Sequence, residues 1–333
     1  HFQFTDERFA DLQMLRYRLN GFEDLTLSQQ IYIYCLAKAT LMGRDITFDQ
    51  QGKYNLRIRK TLEAIYKHYD GDRTSDDFKA LEVYLKRVWF SSGIYHHYGC
   101  EKFKPGFSEH FFYEAVSMMP ETELPLKRGE TKEDLLDELV PVIFDEEILP
   151  KRVNQTDGVD LVATSACNFY ENVTQNEVER FYAKLKDGED LTPPSYGLNS
   201  KLMKRNGEIV EMTWKEEGMY GTAIKEITSW LLKAQKYAEN EQQAHVIDLL
   251  IKYYRTGDLS DFDRYSIAWV KQQEGMVDFI NGFIEVYGDP LGLKGTWEGL
   301  VEFKDMKATR RTQAISQNAQ WFEDHSPVAP QFK

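Results

Sequence analysis

The chain has 333 residues, 42% of them hydrophobic, which is enough for one large or two ordinary domains with a proper core. Asp and Glu number 54 against 41 Lys and Arg, and the net charge of −13 excludes a nucleic-acid backbone or an anionic bilayer as a general partner. Three widely spaced cysteines, Cys35, Cys100 and Cys167, offer neither a disulfide framework nor a cysteine-built zinc site, and no apolar stretch reaches the ~20 residues of a membrane span.

The first residue is His1 and no charged and apolar leader pattern follows, so any leader peptide is expected either to have been removed already or never to have been part of this sequence. Thr5-Asp6-Glu7 followed by Phe9, Leu12 and Leu15 predicts a first helix ending at Asn20-Gly21. Thr26-x-x-Gln29 is a capping box for a second helix, Ile31 to Met42, closed by Gly43. Helices are also expected from Leu56 to Tyr69, stopped by Asp70-Gly71, and from Asp76 to Phe90, stopped by Ser91-Ser92-Gly93. Gly93 to Pro105 loses helical period and reads as loop or short strand, before a short helix over Glu109 to Val116. A further helix is expected over Lys132 to Leu139, and Thr174-x-x-Glu177 is a second capping box, opening a helix to about Lys186.

The clearest strand signal is Lys201 to Arg205, then Asn206-Gly207, then Glu208 to Trp214, because a two-residue hairpin turn needs positive φ at both central residues. Two long helices are expected over Tyr220 to Ala238 and Gln242 to Tyr254, and a polar one over Lys304 to Phe322. The whole reads as a mainly helical α+β fold, a large helical lobe with a small β-sheet that includes the hairpin at 201–214.

No sequence motif supports a phosphate-binding loop, a dinucleotide fold or a serine nucleophile elbow. His96-His97-x-x-Cys100-Glu101 has metal-ligating atoms, yet adjacent side chains of an extended stretch point to opposite sides, so it reads as a packed aromatic loop. Asn172-Val173-Thr174 reads as the helix cap rather than a glycosylation site. More informative is Asn281-Gly282-Phe283-Ile284-Glu285-Val286-Tyr287-Gly288-Asp289-Pro290, where an acid and a phenol two residues apart sit among apolar neighbours. If extended, both would project from one face and could converge on one ligand; the plainer reading is a surface strand with an exposed Glu and a half-buried Tyr.

Trp269, Gly275 and Val277, followed by Gly282-Phe283-Ile284-Glu285-x-Tyr287-x-Asp289-Pro290-x-Gly292-x-x-Gly295-x-x-Glu298-Gly299, resemble the signature segment of the dipeptidyl peptidase III family, zinc exopeptidases that release dipeptides from the N-termini of oligopeptides. The similarity extends upstream through Gly218-x-Tyr220, Lys233-Ala234, Tyr237-Ala238-x-Asn240 and Tyr254-x-Thr256-Gly257, and faintly to Lys102-Phe103-x-Pro105. The resemblance implies that Glu285 binds the substrate's amino terminus and that Tyr287 donates a hydrogen bond to the scissile carbonyl as it becomes an oxyanion. Gly288 stands where the commonest family pattern has Arg, the mark of a divergent branch, which leaves peptide preference open.

The family's metal motif, HExxGH on one helix plus a later glutamate, does not occur in these 333 residues, nor does its Asn-rich amine-binding segment. The resemblance therefore implies the N-terminal, substrate-binding portion of a longer enzyme. Residues 1–304 would form the lower lobe, and 305–333 a helix leading into the metal-bearing upper lobe. Zinc would belong to the full-length enzyme and not to this chain, which is expected to be inactive alone. The expected partners are an oligopeptide substrate and the C-terminal half of the same protein, with no nucleic acid and no membrane span. The expected compartment is the cytoplasm, with export after leader cleavage as the alternative. The other function class is a non-catalytic peptide-binding or scaffold protein that kept the fold and lost the metal site.

Overall fold

The computed structural model describes residues 2–186 and 188–332; His1, Asp187 and Lys333, the last residue of the segment expected to lead into another lobe, lie outside the described residues. The order is β1 Thr5–Phe9, β2 Leu12–Leu15, α1 Leu27–Met42, α2 Arg44–Gln51, α3 Asn55–His68, α4 Asp76–Ser91, α5 Glu109–Met118 and α6 Lys132–Phe144. There follow β3 Tyr170–Glu171, α7 Gln175–Ala183, β4 Ser200–Arg205, β5 Glu208–Thr213, α8 Gly221–Gln235, α9 Glu241–Thr256, α10 Leu259–Lys271, β6 Val277–Glu285, β7 Thr296–Phe303, α11 Met306–Ser316 and α12 Ala319–Asp324. The fold is mainly helical α+β, as expected.

Both capping boxes form. Thr26 accepts from Gln29 N while the Gln29 side chain accepts from Thr26 N, and Thr174 and Glu177 repeat the exchange at α7. Asn206 and Gly207 take φ of 52° and 86°, so β4 and β5 pair antiparallel in register from Ser200↔Thr213 to Arg205↔Glu208. β3 adds in parallel to β4, giving a three-stranded sheet.

The predicted first helix is instead the hairpin β1–β2, paired through Phe9↔Leu12 with Ala10 at φ 48°. Its apolar residues are exposed or only partly covered, so there is no buried face to hold a helix at this position. Ion pairs fix the hairpin to α4: Lys86 with Glu7, and Arg87 with Asp11 at 2.7 Å. Gly43 closes α1 after Met42, as expected, but it stays right-handed at φ −85°, and α2, absent from the expected elements, begins at once. The glycine serves packing: a Cβ there would stand 2.3 Å from the Trp297 indole of β7. α10 also escaped the sequence reading. α6 runs through Pro141 to Phe144, beyond its expected end. The predicted helix over 304–322 is broken into α11 and α12 at Gln317-Asn318, where Asn318 Nδ2 donates to the Ala314 carbonyl.

Two hydrophobic cores result. One gathers α3 to α6 around Ile58, Leu62, Leu85, Phe112 and Leu139. The other packs α1, α8 and α9 against the antiparallel pair β6–β7, through Tyr32, Leu36, Ile227, Leu250, Phe283 and Trp297. A smaller cluster, Val178, Tyr182 and Leu202 with Leu291 and Leu293, joins α7 and β4 to the loop between β6 and β7. α11 and α12 bury no residue. Among the described residues no helix is long and apolar enough to cross a membrane.

Candidate functional site

Glu285 ends β6, and Tyr287 stands two residues further on, in the turn that leaves it. The condition that both lie in one extended segment is not met, since the strand stops at Glu285, and Tyr287, expected half-buried, is exposed. What orients Glu285 is a bulge. Phe283 pairs with Trp297, but Glu285 pairs with Thr296, so β6 spends two residues where β7 spends one. Because faces alternate along a strand, the extra residue turns Glu285 away from the buried Phe283 and Trp297 side, onto the face that carries Glu298, opposite Gly282.

At the bulge two backbones come close together. Gly295 lies against the backbone where β6 bends, and a Cβ there would sit 2.8 Å from the carbonyl carbon of Phe283. Its N–H donates to Leu198 O at 2.7 Å, and its carbonyl accepts from Nε2 of Gln50, at 3.1 Å. Fully buried Gln50 also accepts from Trp297 N at 2.8 Å, so α2 grips both residues flanking Thr296. Gly295→Ala is expected to lower stability by about 1–3 kcal/mol, since the clash is with backbone. Chemical denaturation measures it; an unchanged midpoint would mean that β6 yields without cost.

On the exposed side the carboxylates of Glu285 and Glu298 and the phenol of Tyr287 form one electrostatic group. The Tyr287 side chain is 73% exposed, yet partial burial pushes its phenol above the usual range, and the Glu298 and Glu285 charges push it further. Arg152 acts the other way and Tyr98 adds to the rise. Burial, then the Glu285 charge, also raises the Glu298 carboxyl. Such a surface offers two anions to a cation and a neutral phenolic donor beside them. Five surface cavities among the described residues, of about 320 to 580 Å³, are lined by other residues.

Sequence reasoning gave no role to Glu298, Arg152 or Tyr98, which meet the Glu285 segment only through the fold. Arg152 is 8% exposed and donates from Nη2 to His97 O at 3.2 Å and to Cys100 Sγ at 3.3 Å. The His96-His97 pair does not open toward an ion: the rings stack at 4.5 Å, and His96 Nδ1 accepts from Tyr98 N and Gly99 N. Among the described residues no group of three or more His, Cys, Asp and Glu is placed to hold a metal.

Beneath the site, Asp289 shapes the turn. Its Oδ2 accepts from Tyr170 Oη (2.7 Å), Leu293 N (2.8 Å) and Lys294 N (3.0 Å), and its Oδ1 from Leu291 N (3.2 Å). The Asp-Pro-x-Gly sequence was the legible signal for this turn.

Residues 193–333 match the model of peptidase family M49. Dipeptidyl peptidase 3 of Dictyostelium discoideum is 22% identical over 95% of this chain and 48% of its own length, and that of Homo sapiens is 22% identical over 94% and 46%. The chain therefore spans about half the length of the curated relatives it matches. A solved structure of DPP III from Caldithrix abyssi superposes with a TM-score of 0.60 at 18% identity, covering 92% of this chain and 45% of that one. A second, dipeptidyl-peptidase III from Corallococcus sp. strain EGB, gives 0.57 at 15% identity. The resemblance to the dipeptidyl peptidase III family holds across most of the chain, and the fold is the one those structures share.

Proposed function

Taking kinship with the dipeptidyl peptidase III family as premise, we propose that this chain is the N-terminal, substrate-binding portion of a zinc-dependent peptidase that releases dipeptides from the N-termini of oligopeptides. The observation that carries the reading is the grouping of Glu285, Glu298 and Tyr287 on one exposed edge, inside the segment that matches peptidase family M49.

Glu285 takes the peptide's ammonium group. A carboxylate at a fixed distance from the reacting carbonyl counts residues from the chain end, which is what dipeptide release requires. Glu298 adds negative charge to the same spot. Tyr287 donates its O–H to the carbonyl oxygen as that oxygen becomes negative; its raised pKa keeps it a neutral donor at neutral and mildly alkaline pH.

The described residues do not fit zinc, and no chemical step is assigned to a metal on this chain. In the proposal the metal belongs to the other half of the protein. Residues 1–304 are the substrate-binding lobe and 305–333 the segment that leads toward its partner, a reading supported by α11 and α12 burying no residue in this chain.

The test is direct. The 333-residue chain with added zinc is expected to release no dipeptide from an arylamide substrate, whereas a protein joining it to sequence that carries HExxGH is expected to do so. Chelator-sensitive release by the chain alone would overturn the division of labour. A gene that ends at Lys333 would favour a non-catalytic peptide-binding protein instead.

A further inference from the structure

The loop that carries Tyr287 is fastened from below by a group that the proposed chemistry does not use. Lys294 is fully buried. Its ammonium donates to Tyr182 Oη of α7 and, at 3.1 Å, to Ser200 Oγ of β4. Both hydroxyls pass the interaction on, Tyr182 Oη donating to Glu211 Oε1 of β5 at 2.7 Å and Ser200 Oγ to the same oxygen at 2.6 Å. The Tyr182 ring lies 4.6 Å from the ammonium, and that of Tyr170, on β3, at 5.6 Å. On the loop itself the backbone N–H of Lys294 donates to Asp289, whose carboxylate also holds Leu291 N, Leu293 N and the Tyr170 hydroxyl. The Tyr287 turn is thus tied to α7 and to all three strands of the sheet through one hydrogen-bond network centred on the buried Lys294.

We propose that Lys294 is a positioning residue for this site: its buried side-chain nitrogen fastens the Tyr287 turn to α7 and β4 through the hydroxyls of Tyr182 and Ser200, and the turn is held more firmly once that nitrogen has given up its proton. Its consequence for peptide handling rests on the reading of Tyr287 given above; the latch itself does not.

The network fixes the direction of the effect. Burial depresses the Lys294 ammonium to about 8, against the attraction of Glu211 and Asp289. A lysine released to water loses its proton at about 10.4. Between those values the closed turn binds fewer protons than the open one, so raising the pH above about 8 tightens the turn. Below about 8 both states carry the charge and the balance stops changing. Tyr182 and Tyr170 are pushed upward by burial and by their carboxylate partners, so in the closed state they keep their protons throughout this window. Above the ordinary tyrosine value of about 10 they would favour opening, which bounds the effect at the top.

Amide hydrogen exchange of residues 288–294 in the 333-residue chain, expressed as protection factors from pH 6 to 10, tests this. Wild type is expected to be flat to pH 8 and then to rise by roughly tenfold per pH unit, to on the order of a hundredfold. Lys294→Met should be flat throughout. Tyr182→Phe keeps the ammonium and removes one acceptor, so its rise should begin at lower pH; this variant serves if Lys294→Met does not fold. A flat wild-type profile, or a rise that survives in Lys294→Met, would overturn the inference. Binding of tetra-alanine amide at pH 7 separates the two readings. A chain that binds no peptide but keeps the rise upholds the latch and discards the peptide site.

Discussion

Tyr287→Phe, in a protein that joins this chain to the family's metal-bearing half, is expected to lower kcat by roughly 100- to 1,000-fold and to leave KM nearly unchanged. The substitution removes one oxygen from an exposed turn that Asp289 and Lys294 hold from below, so the fold should not move. The lost hydrogen bond would be strongest when the carbonyl oxygen carries charge, which puts its effect on the transition state rather than on binding. Burial, with the Glu298 and Glu285 charges, holds the phenol above a range that already keeps it protonated, so the deficit should be constant across neutral pH. Steady-state kinetics with an arylamide dipeptide decides it. A KM that rises as much as kcat falls would make Tyr287 a binding residue only.

Glu285→Gln is expected to weaken free-amine substrates by about ten- to a hundredfold, because a charge-assisted hydrogen bond to an ammonium is worth ~1.5–3 kcal/mol. N-acetylation of the peptide should cost a similar factor by removing the other partner. The two changes together should cost little more than either alone, which is the signature of one shared contact in a double-mutant cycle. Glu298 makes the comparison sharper. Its carboxyl lies close enough for the Glu285 charge to raise it, so some attraction for the amine survives in the variant. Independent addition of the two losses would move the amine elsewhere and return Glu285 to a strand-end acid on the surface.

The sequence by itself determined those elements whose cause is local. Thr26 with Gln29 and Thr174 with Glu177 start their helices by exchanging hydrogen bonds within one turn, and Asn206-Gly207 closes its hairpin because those residues tolerate positive φ. The pairing of an acid and a phenol at Glu285 and Tyr287 was legible for the same reason: it lies within three residues.

What only the tertiary structure decided depends on contacts between distant residues. Residues 5–15 have helical spacing, yet they form a hairpin fixed to α4 by Lys86 and Arg87. Gly43, which closes α1 by local rule, is also a seat for Trp297, a residue far away in the numbering. The face on which Glu285 stands follows from the bulge between Phe283 and Glu285, where Gly295 packs closely against the Phe283 backbone, since one bulged residue reverses the side of a strand. Glu298, Arg152 and Lys294 acquired their relation to Tyr287 in the same way. Electrostatic coupling and buried hydrogen bonds depend on distance in space, which spacing along a chain fixes only within a single turn or strand.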